Sequence, residues 1–316
     1  MLAARIHAHG DPAAVLRVEA HEPGAPGPGQ ARVRMQFAPV NPADLNLIEG
    51  TYGRLPALPA TVGNEGCGVV EAVGQGVADL RVGDLVRPRD LVGSWCGACV
   101  AEAGRFTRLP AGLPPEQAAQ LCINPATAWA TLDLAPPPPG GWVLCNAPGS
   151  AVARSLAALC AARGLRLACL VRRPGEAPPG CLEVPEGREA VAMLKPLGAT
   201  LALNQVGGES AVLLAKSLAP LGTLVTVGAL ARQPTALPGG LVIFAELRSV
   251  GLWVSRWYER TPAATVAAML AELAALMASG ALVLPVAATY PLAQAVAAID
   301  HARRPGRGGK VLIDCR

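Results

Sequence analysis

Aromatic side chains are scarce in this chain. Its 316 residues hold three Tyr, three Phe and five Trp, so any chemistry that needs a phenol must draw on Tyr52, Tyr258 or Tyr290. Histidine is as thin, at four, and His7, His9, His21 and His301 have no acidic or thiol partner in ligand spacing, which argues against a zinc site. Lysine occurs only at 195, 216 and 310. The 27 basic residues are therefore mostly Arg, set against 23 acidic ones, and no block of like charge marks a nucleic-acid groove. There is no G-x-S-x-G elbow, which removes an α/β hydrolase, and Met1 to His9 holds no apolar core of signal-peptide length. Residues 273–299 carry no charge, yet Gly280, Pro285, Pro291 and Gln294 interrupt them. They read as helix, strand and turn, not as a membrane span. The nine cysteines are odd in number and follow no framework spacing. Cys96-Gly97-Ala98-Cys99 has the spacing of a zinc ribbon without a second pair, and as a redox pair it lacks a helix start to lower a thiol pKa. A reduced, cytoplasmic setting is expected.

What the chain does have is apolar mass and turns: 52% hydrophobic residues, 16% charged, 35 Gly and 30 Pro. Disorder is excluded, and the length predicts two lobes. Over the first 120 or so residues, short apolar or alternating stretches at 31–38, 68–73, 85–87 and 100–109 read as strands. Asn41-Pro42 opens a short helical turn, and 63–68 is a turn between strands. From Pro115 the character changes. A helix over 115–132, interrupted at Asn124-Pro125, is followed by strands at 142–146, 167–171, 200–204, 223–227 and 249–254, with helices at 150–163 and 210–219. Strands alternating with helices at this spacing predict parallel βαβ units and a doubly wound, nucleotide-binding sheet. Beyond Thr261 a helix at 264–278, an apolar piece at 282–287, a helix at 291–302 and a strand at 310–313 do not extend that rhythm and are expected to rejoin the first lobe.

The strongest local signal is the turn Asn146-Ala147-Pro148-Gly149-Ser150-Ala151-Val152-Ala153-Arg154. Small residues let the backbone approach a pyrophosphate, and the N–H groups of the helix start complement its charge. The same turn serves equally as a tight strand-to-helix connection, since Ala151 and Ala153 stand where many dinucleotide folds place glycine. Arg172 and Arg173 end the next strand. An acidic residue there would bond a ribose hydroxyl, whereas arginine pairs with a 2′-phosphate, so the pair favours NADP(H) over NAD(H). The other reading is a pair of solvated charges beyond a strand end. Pro174, Pro178 and Pro179 forbid a crossover helix before Cys181 and predict a loop.

With these stretches stand Asn41-Pro42-Ala43-Asp44-Leu45-Asn46 running on to Tyr52-Gly53, Gly63-Asn64-Glu65-Gly66, Gly93-Ser94-Trp95, Gln120 to Ala128, Ala202 to Gly208, and Gly251-Leu252-Trp253-Val254-Ser255-Arg256-Trp257. In this order, over nearly the whole chain, they resemble the medium-chain dehydrogenase/reductase superfamily. More narrowly, they resemble its zinc-free branch of trans-2-enoyl-CoA/ACP reductases and quinone-oxidoreductase-like proteins. The resemblance implies an α/β protein. A GroES-like β-rich catalytic domain would comprise residues 1–122 and 256–316, a Rossmann doubly wound parallel-sheet domain residues 123–255, with the cleft at their junction.

Zinc-dependent relatives place His where this chain has Asn64, and an amide does not replace imidazole as a zinc ligand. No metal is therefore expected. The resemblance assigns the oxyanion and proton work to Tyr52, because a phenol donates a hydrogen bond while staying neutral at pH 7. Packing is the alternative role for a tyrosine in a Gly-flanked loop. By the same resemblance NADPH is held by Asn124 near the nicotinamide, by Gly149, Ser150, Ala151 and Val152 at the diphosphate, and by Arg172 and Arg173 at the adenosine phosphate. Gly228, Ala229, Leu252, Trp253 and Val254 would line the nicotinamide and substrate, and Lys310 would reach the cofactor from the last strand. Trp257 is expected in the core. The implied activity is NADPH-dependent reduction of 2-enoyl thioesters on CoA or acyl carrier protein, by a homodimer that binds neither nucleic acid nor membrane. Two alternatives stand beside it: a quinone or activated-alkene reductase, and a protein that binds NADP or a partner without turnover. The last is motivated by Ala153 and the trimmed crossover.

Overall fold

Gln30–Pro39, ten residues long with buried and outward positions alternating over its first half, is the spine of the first sheet. It pairs antiparallel with Cys67–Val73, Ala98–Glu102 and Lys310–Asp314. The computed structural model describes residues 1–89 and 92–316, and these divide into two compact units, residues 1–122 with 283–316 and residues 123–282.

In the first unit the order across the larger sheet is Val286–Pro291, Lys310–Asp314, Gln30–Pro39, Cys67–Val73, Leu85–Pro88 and Phe106–Arg108, with Ala98–Glu102 also on Gln30–Pro39. A smaller sheet joins Leu16–Ala20, Leu2–Ile6 and Ala60–Thr61. Ile6, Val33, Met35, Ile48, Val86, Trp95 and Ile313 share one apolar core. The C-terminal strand rejoins this unit, as expected from its lack of βαβ rhythm.

The second unit carries a six-stranded sheet in the order Leu182–Pro185, Arg166–Val171, Trp142–Cys145, Leu201–Asn204, Thr223–Thr226, Arg248–Gly251. Every pairing in it is parallel. The order reverses between Trp142–Cys145 and Leu201–Asn204, and in doubly wound sheets ligands bind beyond the carboxyl ends of the strands at such a point.

Several expectations need correction. The chain returns to the first unit at Val283, not at 256. The reason is the helix Ala263–Ala278, which buries Met269, Leu270, Leu273 and Met277. Its Glu272 accepts from Trp129 Nε1 at 2.6 Å and from Arg163 at 2.8 and 3.0 Å, tying it to the second unit. The strand expected over 249–254 stops at Gly251, and Val254–Arg260 is helical. Tyr258 therefore lies on a helix, against Trp257. Tyr290 lies in the strand Val286–Pro291. Between Arg166–Val171 and Leu182–Pro185 there is no helix, as the prolines require. Glu183 takes the N–H groups of Gly175 and Ala177, each at 2.9 Å, and Glu176 takes that of Arg172 at 3.0 Å, so side chains bind the loop that helical bonds would otherwise hold. None of the described helices is long and apolar enough to cross a membrane.

Candidate active site

Tyr52 is placed by the helix before it. Asn41 starts Pro42–Glu49 with Pro42 in its first turn, where a missing N–H costs nothing. Gly50 ends it in the left-handed region, at φ 81°. The N–H groups of Thr51 and Tyr52 then fold back onto Asn46 O at 2.8 and 3.1 Å. The loop is thus pinned by backbone bonds, with Tyr52 half-buried against the core of its unit. The other phenols are engaged differently: Tyr290 Oη lies 3.1 Å from His301 Nδ1, and the Tyr258 ring packs 5.4 Å from that of Trp257.

Beside this helix lies the Gly63-Asn64-Glu65 triplet. Gly63 has φ +102°, and a Cβ there would stand 2.3 Å from Ser94 Oγ and 2.4 Å from Trp95 Cδ1, so only glycine fits. Asn64 donates to Asp44 Oδ1 through its backbone N at 2.7 Å and its Nδ2 at 3.0 Å. The other Asp44 oxygen accepts Asn41 N at 2.7 Å. Asn41 Nδ2 donates to Glu65 Oε2 at 2.8 Å, and Glu65 Oε1 accepts Cys122 N at 2.9 Å. Lys310 Nζ donates to Asn41 Oδ1. Burial pushes the Asp44 carboxyl up to about 7 against the pull of the Asn41 and Asn64 N–H groups, and burial draws Lys310 down to about 8. Among the described residues no three His, Cys, Asp or Glu side chains are grouped to hold a metal ion.

In the second unit the turn after Trp142–Cys145 is built for close approach. Ala147 adopts φ 50°. Gly149 is exposed, and a Cβ on it would meet nothing within 4 Å, so space lies open in front of the helix Ala151–Ala162. Ser150 caps that helix, accepting Ala153 N at 3.0 Å and donating to Gln205 Oε1 at 2.8 Å. The N–H groups of Ala151 and Val152 have no intrahelical acceptor.

Amides tie together the carboxyl ends of three neighbouring strands. Asn146 Nδ2 donates to Asn204 Oδ1 at 2.9 Å, Asn204 Nδ2 donates to Thr226 Oγ1 at 3.1 Å, and Gln205 N donates to Asn146 Oδ1 at 2.7 Å. Gly228 follows; a Cβ there would lie 2.8 Å from Gln205 O. Removing the cap by Ser150→Ala is expected to cost about 1 kcal/mol in denaturant unfolding, with a measurable loss of dinucleotide affinity from the loosened turn.

The remaining expected residues fall as follows. Asn124 is buried at the start of the helix Asn124–Leu134. Arg172 and Arg173 are exposed, and neither guanidinium has an acidic partner among the described residues. Ala229 is exposed, Leu252 and Val254 are buried, and Trp253 is half-buried with Arg256 5.7 Å over its ring. Trp257 is a core residue, 5.7 Å edge-on from Trp129. Ala153 is fully buried beneath its helix. Lys310 sits within the first unit, on Asn41.

Sequence reasoning did not single out Asn146, Asn204, Gln205 and Thr226, nor the buried set Asn41, Asp44 and Glu65. A signal was present for the first set, since a polar residue closes three of the alternating strands, those ending near 146, 204 and 226. For the second, both stretches stood among the motifs of the resemblance, but nothing in them showed that Asn41 joins Asp44 to Glu65 in the interior.

Residues 27–127 match the family described as Alcohol dehydrogenase GroES-like domain, and residues 180–313 that described as Zinc-binding dehydrogenase. The chain is 34% identical to the mitochondrial enoyl-[acyl-carrier-protein] reductase of Homo sapiens, over 96% of this chain and 86% of that protein. Among solved structures, the mitochondrial 2-enoyl thioester reductase Etr1p/Etr2p heterodimer from Candida tropicalis matches with TM-score 0.86 and 26% identity, over 99% of each chain. The complex of Etr1p with NADP and crotonyl-CoA matches with TM-score 0.87 and 27% identity, again over 99% of each.

Proposed function

The chain belongs to the medium-chain dehydrogenase/reductase superfamily, on its enoyl-reductase-like branch, and from that premise we propose that it reduces the carbon–carbon double bond of 2-enoyl thioesters with NADPH. The observation that carries this is likeness along the whole chain to a protein named as an enoyl thioester reductase.

The residues fit the dinucleotide. Gly149 leaves room where a side chain would stand, Ser150 holds the helix start rigid, and the N–H groups of Ala151 and Val152 can donate to a diphosphate. Arg172 and Arg173, without acidic partners among the described residues, are available to a 2′-phosphate. Gly228, Ala229, Leu252, Trp253, Val254 and Asn124 complete the set assigned to the nicotinamide and substrate. When bound, NADPH supplies the hydride that adds to Cβ of the enoyl thioester. The double-bond electrons then move onto the thioester oxygen, and the Tyr52 phenol donates a hydrogen bond to that oxygen as charge develops there. A proton delivered to Cα completes the reduction. Asn64, hydrogen-bonded to Asp44, stands where zinc relatives carry an imidazole ligand, so the phenol does the work of a Lewis acid.

The test is NADPH oxidation with crotonyl- and longer enoyl-CoA or acyl-carrier-protein thioesters, set against quinones and simple enones. Faster turnover of quinones would replace this reading with the quinone reductase one. Tight NADPH binding without oxidation by any acceptor would leave a non-catalytic NADP-binding protein.

The reading includes a homodimer in a reducing, cytoplasmic setting. All nine cysteines are free thiols, eight of them buried, which suits such a compartment. Arg248–Gly251 ends its sheet with one side unpaired among the described strands. Close by, the helix Gly239–Phe244 buries nothing and leaves Ile243 67% and Phe244 86% exposed. A free sheet edge beside an apolar helix supports association with a second copy. Phe244→Asp is expected to convert dimer to monomer in analytical ultracentrifugation without altering the circular dichroism spectrum.

A further inference from the structure

Gln205 is 5% exposed and follows the strand Leu201–Asn204, beside the turn that the reading above assigns to the diphosphate. Its carboxamide reaches both ends of that turn. Nε2 donates to Asn146 O at 2.8 Å, and Oε1 accepts the Ser150 hydroxyl at 2.8 Å. Asn146 O belongs to the peptide that enters Ala147, and Ser150 Oγ caps the helix Ala151–Ala162 by accepting Ala153 N at 3.0 Å. A hydroxyl has one proton, so giving it to Gln205 leaves a lone pair for the Ala153 N–H. Between these anchors Ala147 holds φ 50°, a conformation that a side chain resists and that its surroundings must impose. Gln205 N on Asn146 Oδ1, at 2.7 Å, adds a third bond to the residue before it.

The carbonyl of Gln205 engages the next segment. It accepts Leu230 N at 3.1 Å, and a Cβ on Gly228 would stand 2.8 Å from it. One residue thus joins the diphosphate turn to the Gly228-Ala229 segment assigned to the nicotinamide. On the reading that the chain works with NADPH, we propose that Gln205 is a positioning residue whose carboxamide holds the 147–150 turn in the form that receives the diphosphate. It acts through Asn146 and Ser150 and does not touch the dinucleotide.

The test is isothermal titration calorimetry on the full chain with NADP+, NAD+ and 2′-AMP, the last carrying adenosine and a 2′-phosphate without a diphosphate. Gln205→Met keeps the length of the side chain and removes both of its bonds. It is expected to weaken NADP+ and NAD+ alike by about tenfold, the size of two neutral hydrogen bonds lost, with 2′-AMP affinity within about twofold of wild type. In crotonyl-CoA reduction the KM for NADPH rises and kcat at saturating NADPH stays within about twofold. Gln205→Glu adds a readout that packing alone does not move. Its carboxylate still accepts from Ser150 but cannot donate to Asn146 O, whereas the protonated acid restores that donor, and neither Asn146 nor Ser150 titrates. NADP+ affinity relative to wild type therefore recovers by about tenfold as the pH falls from about 8 to about 5. Unchanged NADP+ affinity in Gln205→Met would overturn the proposal, as would equal losses for NADP+ and 2′-AMP. If Gln205→Met does not fold, Gln205→Glu decides, and a relative affinity that ignores pH counts against the proposal. A wild type that binds NADP+ but reduces no thioester defeats the substrate reading and leaves these ratios to decide the role of Gln205. A wild type that binds no dinucleotide defeats both.

Discussion

Tyr52→Phe is expected to lower kcat for enoyl thioester reduction by about a hundredfold or more while NADPH still binds. Removing a single donor from a developing oxyanion costs on the order of 2.7–4 kcal/mol, and loss of a positioned acid costs a similar amount. The substitution is clean because backbone bonds secure the loop: Tyr52 N and Thr51 N are both on Asn46 O, and Gly50 closes the helix before them. The ring keeps its packing against the core when the oxygen is removed. Tyr290→Phe is the control. Its hydroxyl lies 3.1 Å from His301 Nδ1, so its loss affects stability by about 1 kcal/mol and leaves kcat unchanged. Steady-state rates with crotonyl-CoA at saturating NADPH decide the matter: equal kcat in Tyr52→Phe and wild type would remove the phenol from the reaction.

The scarcity that makes this experiment sharp was legible in the sequence, as was much of the architecture. The alternation of strand and helix between 142 and 227 could be followed because four of its five parallel strands are mainly apolar runs closed by a polar residue; Leu182–Pro185, with Glu183 inside it, is not such a run and was not expected. The prolines of 174–179 announced a crossover without a helix. The first boundary that misled was 249–254, where an apolar run continues through Leu252, Trp253 and Val254. Those side chains are buried or half-buried just after Gly251, so the apolar run does not distinguish a strand from the helix that follows it. The helix Ala263–Ala278 was recognisable as a helix, but its allegiance was not. Glu272 ties it to Trp129 and Arg163, more than a hundred residues earlier in the chain, and such pairing leaves no periodic trace. The buried Asn41, Asp44, Glu65 and Lys310 were invisible as a set for the same reason. Residue types alone suggest a charged surface, and only tertiary structure turns two carboxylates and an ammonium into an interior network.

The double substitution Arg172→Ser, Arg173→Ser is expected to weaken NADPH binding by about a hundredfold and to leave NADH binding nearly as it was. A charge-assisted hydrogen bond contributes about 1.5–3 kcal/mol. Both arginines are exposed, where solvent screening reduces the value to the lower end, so about 1.4 kcal/mol each is appropriate and corresponds to tenfold per residue. The change does not threaten the fold: neither guanidinium serves as a structural partner among the described residues, and the loop that follows is held by Glu176 on the Arg172 backbone N–H and by Glu183 on Gly175 and Ala177. The two dinucleotides differ only in the 2′-phosphate, so their ratio isolates that contact from the diphosphate turn at Ser150. Salt offers an independent check, since raising ionic strength from low to near-molar should weaken NADPH binding in the wild type far more than in the double variant. A wild type that binds NADH as tightly as NADPH, or a double variant that loses both alike, would place these arginines among ordinary solvated charges at a strand end.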